Sequence, residues 1–197
     1  MSGAGRLPES LSAGGLALLR WRESDLGDLQ RAVNENRAHL MPWLAWASDE
    51  SPGAVAAFLR ESGAGWRRGE RFEYGIWSEH EPTLLGSAGL MARLGPGGLE
   101  IGYWVGAEHT RRRVATRAAA MLTGAAFALP TVDRVEIHHD EANGASGGVP
   151  AALGFRRVGT FPRAPAGAPA ETGREVRWRM RAQEFAQSPA AALLRSG

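Results

Sequence analysis

The sequence predicts an α+β domain built on a mixed sheet, and three observations predict it. Strand-like alternation recurs in turn-bounded runs between residues 72 and 105. A long helix with a broad apolar face, ended by Pro130, follows the last of these runs. Further strand patterns, joined by helical ones, flank this centre and give the order β-α-α-β-β-β-α-β-α-β-β.

Met1 to Ala13 reads as a loose tail. Leu16 to Arg22 is an apolar run bounded by Gly14-Gly15, hence a strand. Ser24 is placed to cap a helix, with Asp25 and Asp28 in its first turns and Leu26, Leu29 and Val33 as its stripe. Arg37 to Trp46 is an aromatic-rich segment broken by Pro42. Ser51 as cap and Pro52 at the first position start a second helix, with Val55, Phe58, Leu59 and Trp66 on one face. Phe72 to Trp77 and Leu84 to Ala92 are strands, and Gly95 to Gly98 is a turn.

Leu99 to Val105 alternates so that Glu100, Gly102 and Trp104 share one face. In the long helix, Val114, Ala115, Ala118, Met121, Leu122, Ala125, Ala126 and Leu129 form the buried face. Val132 to His139 is a strand. Asn143 to Leu153 is a helix weakened by Gly147, Gly148 and Pro150. Phe155 to Phe161 and Glu175 to Arg181 complete the strands, with a Pro/Ala/Gly loop, Pro162 to Thr172, between them. Gln187 to Gly197 reads as a frayed tail.

The chain has 197 residues, 44% of them apolar and 22% charged, which is a soluble globular balance. Its net charge is +2 although the pI is about 9.9, because all 23 basic residues are Arg and none is Lys. That balance, with no aromatic-interleaved basic stripe, argues against a nucleic-acid partner. With no Cys, a disulfide framework, a thiolate nucleophile and a zinc-thiolate site are excluded. His138 and His139 are adjacent on a strand and point to opposite faces, so they do not chelate one metal, and no metal is expected. No signal-peptide pattern and no membrane span is read, so the expected setting is cytoplasmic.

The chemistry concentrates between Glu100 and Leu129. A strand leading into a helix N-terminus makes an anion site, because several N–H groups there are unpaired and the dipole is positive. Arg111, Arg112, Arg113 and Arg117 lie in or beside that turn. A pyrophosphate is the natural ligand. A solvated Arg run at an ordinary helix start is the plainer reading, and both stay open on the residues alone.

The run Glu100-Ile101-Gly102-Tyr103-Trp104-Val105, followed by His109-Thr110-Arg111-Arg112-Arg113-Val114-Ala115-Thr116, resembles the central motif of GNAT-superfamily acyl-CoA N-acyltransferases. Asp140 to Asn143, Ser146 and Leu153-Gly154-Phe155 are similar to the Asn-x-x-Ser…Leu-Gly-Phe element of the RimJ/RimL branch, and Leu40 to Trp46 to its early Trp/Pro segment. The resemblance covers residues 15–183, leaving residues 1–14 and 184–197 as expected tails. It implies a mostly antiparallel seven-stranded sheet, splayed in the middle and flanked by about four helices. It also implies acetyl-CoA as co-substrate and a primary amine acceptor, either a small molecule or a protein N-terminus. Dimerisation is common in the branch.

Carried onto this sequence, the pyrophosphate falls on the backbone of Arg111, Arg112, Arg113, Val114, Ala115 and Thr116. The pantetheine falls between splayed strands, held by Trp104, Val105 and Asn143. The acyl oxygen would face the N–H near Val105. Glu100 takes the place of a general base and Ser146 that of the proton donor to the leaving thiolate; a surface carboxylate and a helix cap are their plainer roles. Trp43 and Trp46 would line the acceptor cleft. One departure matters: the family loop has Gly where this chain has Arg111 and Arg113. The guanidiniums either reinforce phosphate binding or fill the cradle. The alternative to an N-acyltransferase is therefore a non-catalytic binding module of the same fold.

Overall fold

A computed structural model describes residues 6–163 and 167–195. One eight-stranded sheet organises the chain, in the order β1-β2-β3-β4-β5-β6-β8-β7. Its strands are β1 (Ser10–Ala13), β2 (Leu16–Arg20), β3 (Arg71–Ser78), β4 (Leu84–Met91), β5 (Gly98–Val105), β6 (Arg134–Asp140), β7 (Arg156–Pro162) and β8 (Arg174–Arg181). Every neighbouring pair is antiparallel except β5 with β6. The sequence predicts the last seven of these strands within a few residues. It misses β1, because Ser10 to Ala13 carries no apolar run. That stretch pairs through a two-residue turn in which Gly14 and Gly15 have φ of 58° and 80°. A turn of this hand matches strand twist and needs residues that tolerate positive φ.

The helices are α1 (Leu26–Leu40), α2 (Ala54–Arg68), α3 (Val114–Phe127), α4 (Gly144–Leu153), α5 (Ala182–Phe185) and α6 (Pro189–Arg195). The expected caps of the first two are displaced. Ser24 lies in a short 3-10 turn, where the Asp25 carboxylate takes the Arg22 N–H. Gly53, at φ 92°, is the residue that opens α2, so Ser51 and Pro52 precede the helix. The described part of the expected C-terminal tail is also structured. Ser188 caps α6 by accepting the Ala191 N–H, and Ala190 and Ala191 are buried on α3. Residues 1–5, 164–166 and 196–197, which belong to the expected tails and the Pro/Ala/Gly loop, lie outside the described residues.

Alternation divides the sheet into two faces. Leu18, Ile76, Leu90, Ile101, Ile137 and Met180 face α3, whose buried Ala118, Ala119, Met121 and Leu122 complete the main core. The small alanines let the helix lie close to the sheet. On the other face, α1 and the first turns of α2 form a second cluster with Trp21, Leu29, Val33 and Leu59, against which Trp77 and Trp104 pack. Further along that face, among the described residues, the second cluster gains no helix beyond α1 and α2. Glu73, Glu100 and Glu136 are buried there beneath arginine side chains instead.

Candidate active site

The site begins where β5 and β6 part. Their pairing runs from Gly98↔Arg134 to Ile101↔Ile137 and ends there. Gly102 to Val105 and His138 to Asp140 continue as separate strands, each paired only on its outer side. Parallel strands that stop pairing leave unsatisfied backbone groups along the gap. The Gly106 N–H is spent on the Leu85 carbonyl across β4. Alternation therefore turns the N–H of Val105, one residue earlier, toward the gap.

The gap leads to the start of α3. The N–H groups of Val114, Ala115 and Thr116 precede the first helical bond, Arg117 N–H to the Arg113 carbonyl at 2.9 Å. Arg111 and Arg113 adopt φ of 58° and 59°, and they are the positive-φ residues other than glycine among the described residues. Left-handed backbone costs an L-residue about 1–2 kcal/mol. The loop thus keeps the glycine-type conformation although arginine occupies it. Left-handed residues interleaved in a turn point successive N–H groups into one concavity, an anion nest. The guanidiniums of Arg111, Arg112 and Arg113 are exposed and, among the described residues, form no ion pair or hydrogen bond. Arg117 differs, donating to the Gly14 carbonyl at 3.1 Å and so bracing the β1–β2 turn against α3.

At the other side of the gap stands α4. Its cap is Asn143, whose Oδ1 accepts the Ser146 N–H at 3.0 Å. Ser146 is therefore not the cap, and its hydroxyl is free of that duty. Tyr103 of β5 donates its hydroxyl to the Ser146 carbonyl at 2.9 Å and lies 3.3 Å from Ser146 Oγ. Burial pushes the Tyr103 phenol well above its usual value, so it stays protonated and remains a donor. Sequence reasoning missed Tyr103 as a site residue; its place beside Trp104 in the Glu100–Val105 motif was the available signal. Gly147 is explained by His139, since a Cβ there would stand 2.8 Å from the imidazole.

The sheet face opposite α3 is carried at the gap by the alternation of β5. Glu100, Gly102 and Trp104 share it, as the sequence predicts. Glu100 is buried, and Arg93 binds both its oxygens, Nε to Oε2 at 2.6 Å. Trp46 is 46% exposed with its ring 6.2 Å from that of Trp104. Trp43 is half-buried in the turn after α1 and forms no ring pair with Trp104. Asp140, at the end of β6, accepts the N–H of Ala142 and both the N–H and hydroxyl of Thr172. Burial alone would raise its carboxyl; these hydrogen bonds outweigh that and hold it below the usual range. Asp140 thus fixes the turn that presents Asn143. Among the described residues no cluster of His, Asp or Glu has the arrangement of a metal site. No helix there is long and apolar enough to cross a membrane.

A mixed sheet splays between its parallel strands, with a left-handed loop and the start of α3 at one end of the gap and buried carboxylates at the other. A family model for the acetyltransferase (GNAT) domain matches residues 16–156, and the chain belongs to that family, whose enzymes use acetyl-CoA as co-substrate. Among solved structures, RimJ of Mycobacterium smegmatis in complex with CoA-disulfide superposes with a TM-score of 0.79 at 23% identity, over 92% of this chain and 89% of that one. RimL, a ribosomal alpha-N-protein acetyltransferase in complex with coenzyme A, gives 0.78 at 19% identity, over 89% and 97%. The microcin self-immunity acetyltransferase MccE, in complex with acetyl-CoA and AMP, gives 0.80 at 16% identity, over 88% and 97%. At these identities the likeness is one of fold. No curated protein matches the sequence.

Proposed function

We propose that the protein is an N-acyltransferase that moves an acetyl group from acetyl-CoA to a primary amine in a ternary complex, without an acyl-enzyme intermediate. One observation carries this reading. The unpaired gap between β5 and β6 runs directly into the nest of Arg111 to Thr116, which holds its left-handed form despite arginine at two strained positions. Strain of this kind persists where function demands the conformation.

The backbone of Arg111, Arg112, Arg113, Val114, Ala115 and Thr116 receives the pyrophosphate, and the free guanidiniums add charge-assisted bonds to the phosphates. Trp104, Val105 and Asn143 line the pantetheine path; Asn143 keeps its capping bond to α4. The Val105 N–H faces the acyl oxygen and stabilises the negative charge that grows on it. Acceleration then comes mainly from holding amine and thioester in register. Ser146 Oγ, steadied by Tyr103, donates the proton that the departing thiolate takes. Trp46, its ring tilted 53° against that of Trp104, forms with Trp43 the wall of the acceptor cleft. Glu100, its two oxygens tied to Arg93, sets the charge of the cleft. The resemblance to enzymes named for ribosomal-protein N-termini supports an α-amine acceptor, and small primary amines suit the same chemistry.

Calorimetric titration of acetyl-CoA into the natural chain tests the reading, followed by release of free coenzyme A thiol with peptide α-amines and small primary amines. Because the chain has no Lys, acetate found on it reports only its own N-terminal amine. Micromolar binding with amine-dependent thiol release is the expected outcome. Absence of binding, restored by glycine at residues 111 and 113, would assign the chain to non-catalytic modules.

A further inference from the structure

His138 lies one residue beyond the last paired rung of β5 and β6, level with Gly102. Gly102 pairs with Gly89 of β4, and the floor there is covered by neighbouring side chains: a Cβ at Gly102 would meet Met91 Cε at 3.0 Å, and one at Gly89 would meet the Glu73 carboxylate. The two nitrogens of the imidazole have different surroundings. Nε2 is 2.6 Å from Glu136 Oε2, within hydrogen-bond range. Nδ1 is 3.4 Å from Glu175 Oε1 and 3.6 Å from Glu100 Oε2, too far for a strong bond but close enough to stabilise a proton that arrives there.

Glu136 fixes which nitrogen carries the proton. Its burial alone would raise the carboxyl, but the hydrogen bonds from His138 and Arg179 outweigh that and hold it below the usual range. An ionised carboxylate only accepts, so Nε2 is the protonated nitrogen and Nδ1 presents its lone pair. The surrounding charges balance without a proton on Nδ1. Arg93 pairs with Glu100 on β5, Arg179 with Glu136, and Arg177 with Glu175 on β8. Arg134 stands 4.0 Å from Glu136, Arg163 stands 3.9 Å from Glu175, and Glu73 of β3 is paired with Arg71. Asp140, two residues along β6, is turned to Thr172.

We infer that His138 Nδ1 takes the proton from the attacking amine, with Glu136 as the residue that positions it; this rests on the acyltransferase reading above. An ammonium acceptor gives one proton to Nδ1, and the freed nitrogen pair forms the bond to the acyl carbon. The C–S bond breaks with its electron pair on the coenzyme A sulfur; Ser146 Oγ gives that sulfur its proton and takes in exchange the second proton lost by the nitrogen. The imidazolium returns its proton to solvent. Glu100, occupied by Arg93, acts as a counter-charge and not as the base. Both arrangements keep the carboxylate in the site, but they place the titrating group on different strands.

Nitrogen-15 spectra of the full chain labelled at histidine test this directly, with His138→Gln assigning the signal. The expected result is a ring whose proton sits on Nε2, with Nδ1 unprotonated, in the resting protein. With a peptide or small-amine acceptor, His138→Gln should lower kcat roughly a hundredfold, the lower end for loss of a proton-transfer group, with the KM for acetyl-CoA unchanged. Glu136→Gln should move the acidic limb of kcat to lower pH, since it removes the charge that favours the imidazolium. A ring that carries its proton on Nδ1 in the resting protein overturns the inference. So does a His138→Gln rate profile that superimposes on that of the natural chain. Failure of the acyltransferase reading is seen separately, as absence of heat on adding acetyl-CoA, and the spectra still decide the tautomer.

Discussion

Arg111→Gly and Arg113→Gly should move stability and coenzyme affinity in opposite directions. Each arginine sits at φ near 58°, so glycine relieves about 1–2 kcal/mol of left-handed strain. Glycine also loosens the unfolded chain, which costs about 0.5–1 kcal/mol. The net gain is about 0–1.5 kcal/mol per site, centred near 0.75, or roughly 1.5 kcal/mol for the pair at the centre of the range if the two add. For a chain of this size that raises Tm by roughly 2–8 °C in calorimetry. Affinity goes the other way. Two exposed guanidiniums each contribute up to about 1 kcal/mol to a phosphate contact, so the double variant should bind acetyl-CoA about 5- to 30-fold more weakly. The difference should shrink as salt is added, because both groups are solvent-exposed. Tighter binding by the double variant would refute the reasoning, since it would mean that the guanidiniums fill the cradle. A lower Tm would refute the strain term.

Ser146→Ala should lower kcat about tenfold or more while leaving acetyl-CoA binding intact, because the cap from Asn143 uses the Ser146 N–H and not its hydroxyl; stopped-time thiol release and calorimetry separate the two. Trp46→Ala should raise the KM of the amine with little change in Tm, as the ring is 46% exposed. Asp140→Asn should cost roughly 1.5–3 kcal/mol, read by urea titration, because two N–H donors and a hydroxyl lose a charged acceptor. Asp140 and Glu136 are both held below the ordinary carboxylate range, so their stabilisation is complete above that range and lost as pH falls through the depressed values. Acid unfolding should therefore begin below about pH 4 and be shallower in Asp140→Asn than in the natural chain.

The motif order from Glu100 to Phe155 made the centre of the molecule legible. Alternation alone put Glu100 and Trp104 on one face, and the apolar spacing of Val114 to Ala126 found α3 with its buried side. What escaped depends on partners distant in the chain. Ser10 to Ala13 is a strand because β2 lies beside it, and four residues whose one large apolar side chain is Leu11 do not say so. The bidentate grip of Arg93 on Glu100 spans a turn that sequence pattern does not fold. His138 was weighed only as a metal ligand, because its two carboxylate neighbours on β5 and β8 come together only in the sheet. The C-terminal helix was a different kind of miss. Ser188-Pro189 is a local start signal, and the alanines after it read as a tail only when their burial on α3 is unknown.

The β1–β2 hairpin has a practical consequence for anyone trimming the chain. Cutting back to Leu16 would look like removal of a dispensable leader, but it would bare the backbone of β2 as a new sheet edge, with Leu19 already 43% exposed. Open apolar edges recruit other chains and promote aggregation. The same cut would delete Gly14, the acceptor that holds Arg117, and so release a cation one turn into α3. A shortened chain should therefore be less soluble and should bind acetyl-CoA with an altered salt dependence, through a change made at the far border of the sheet.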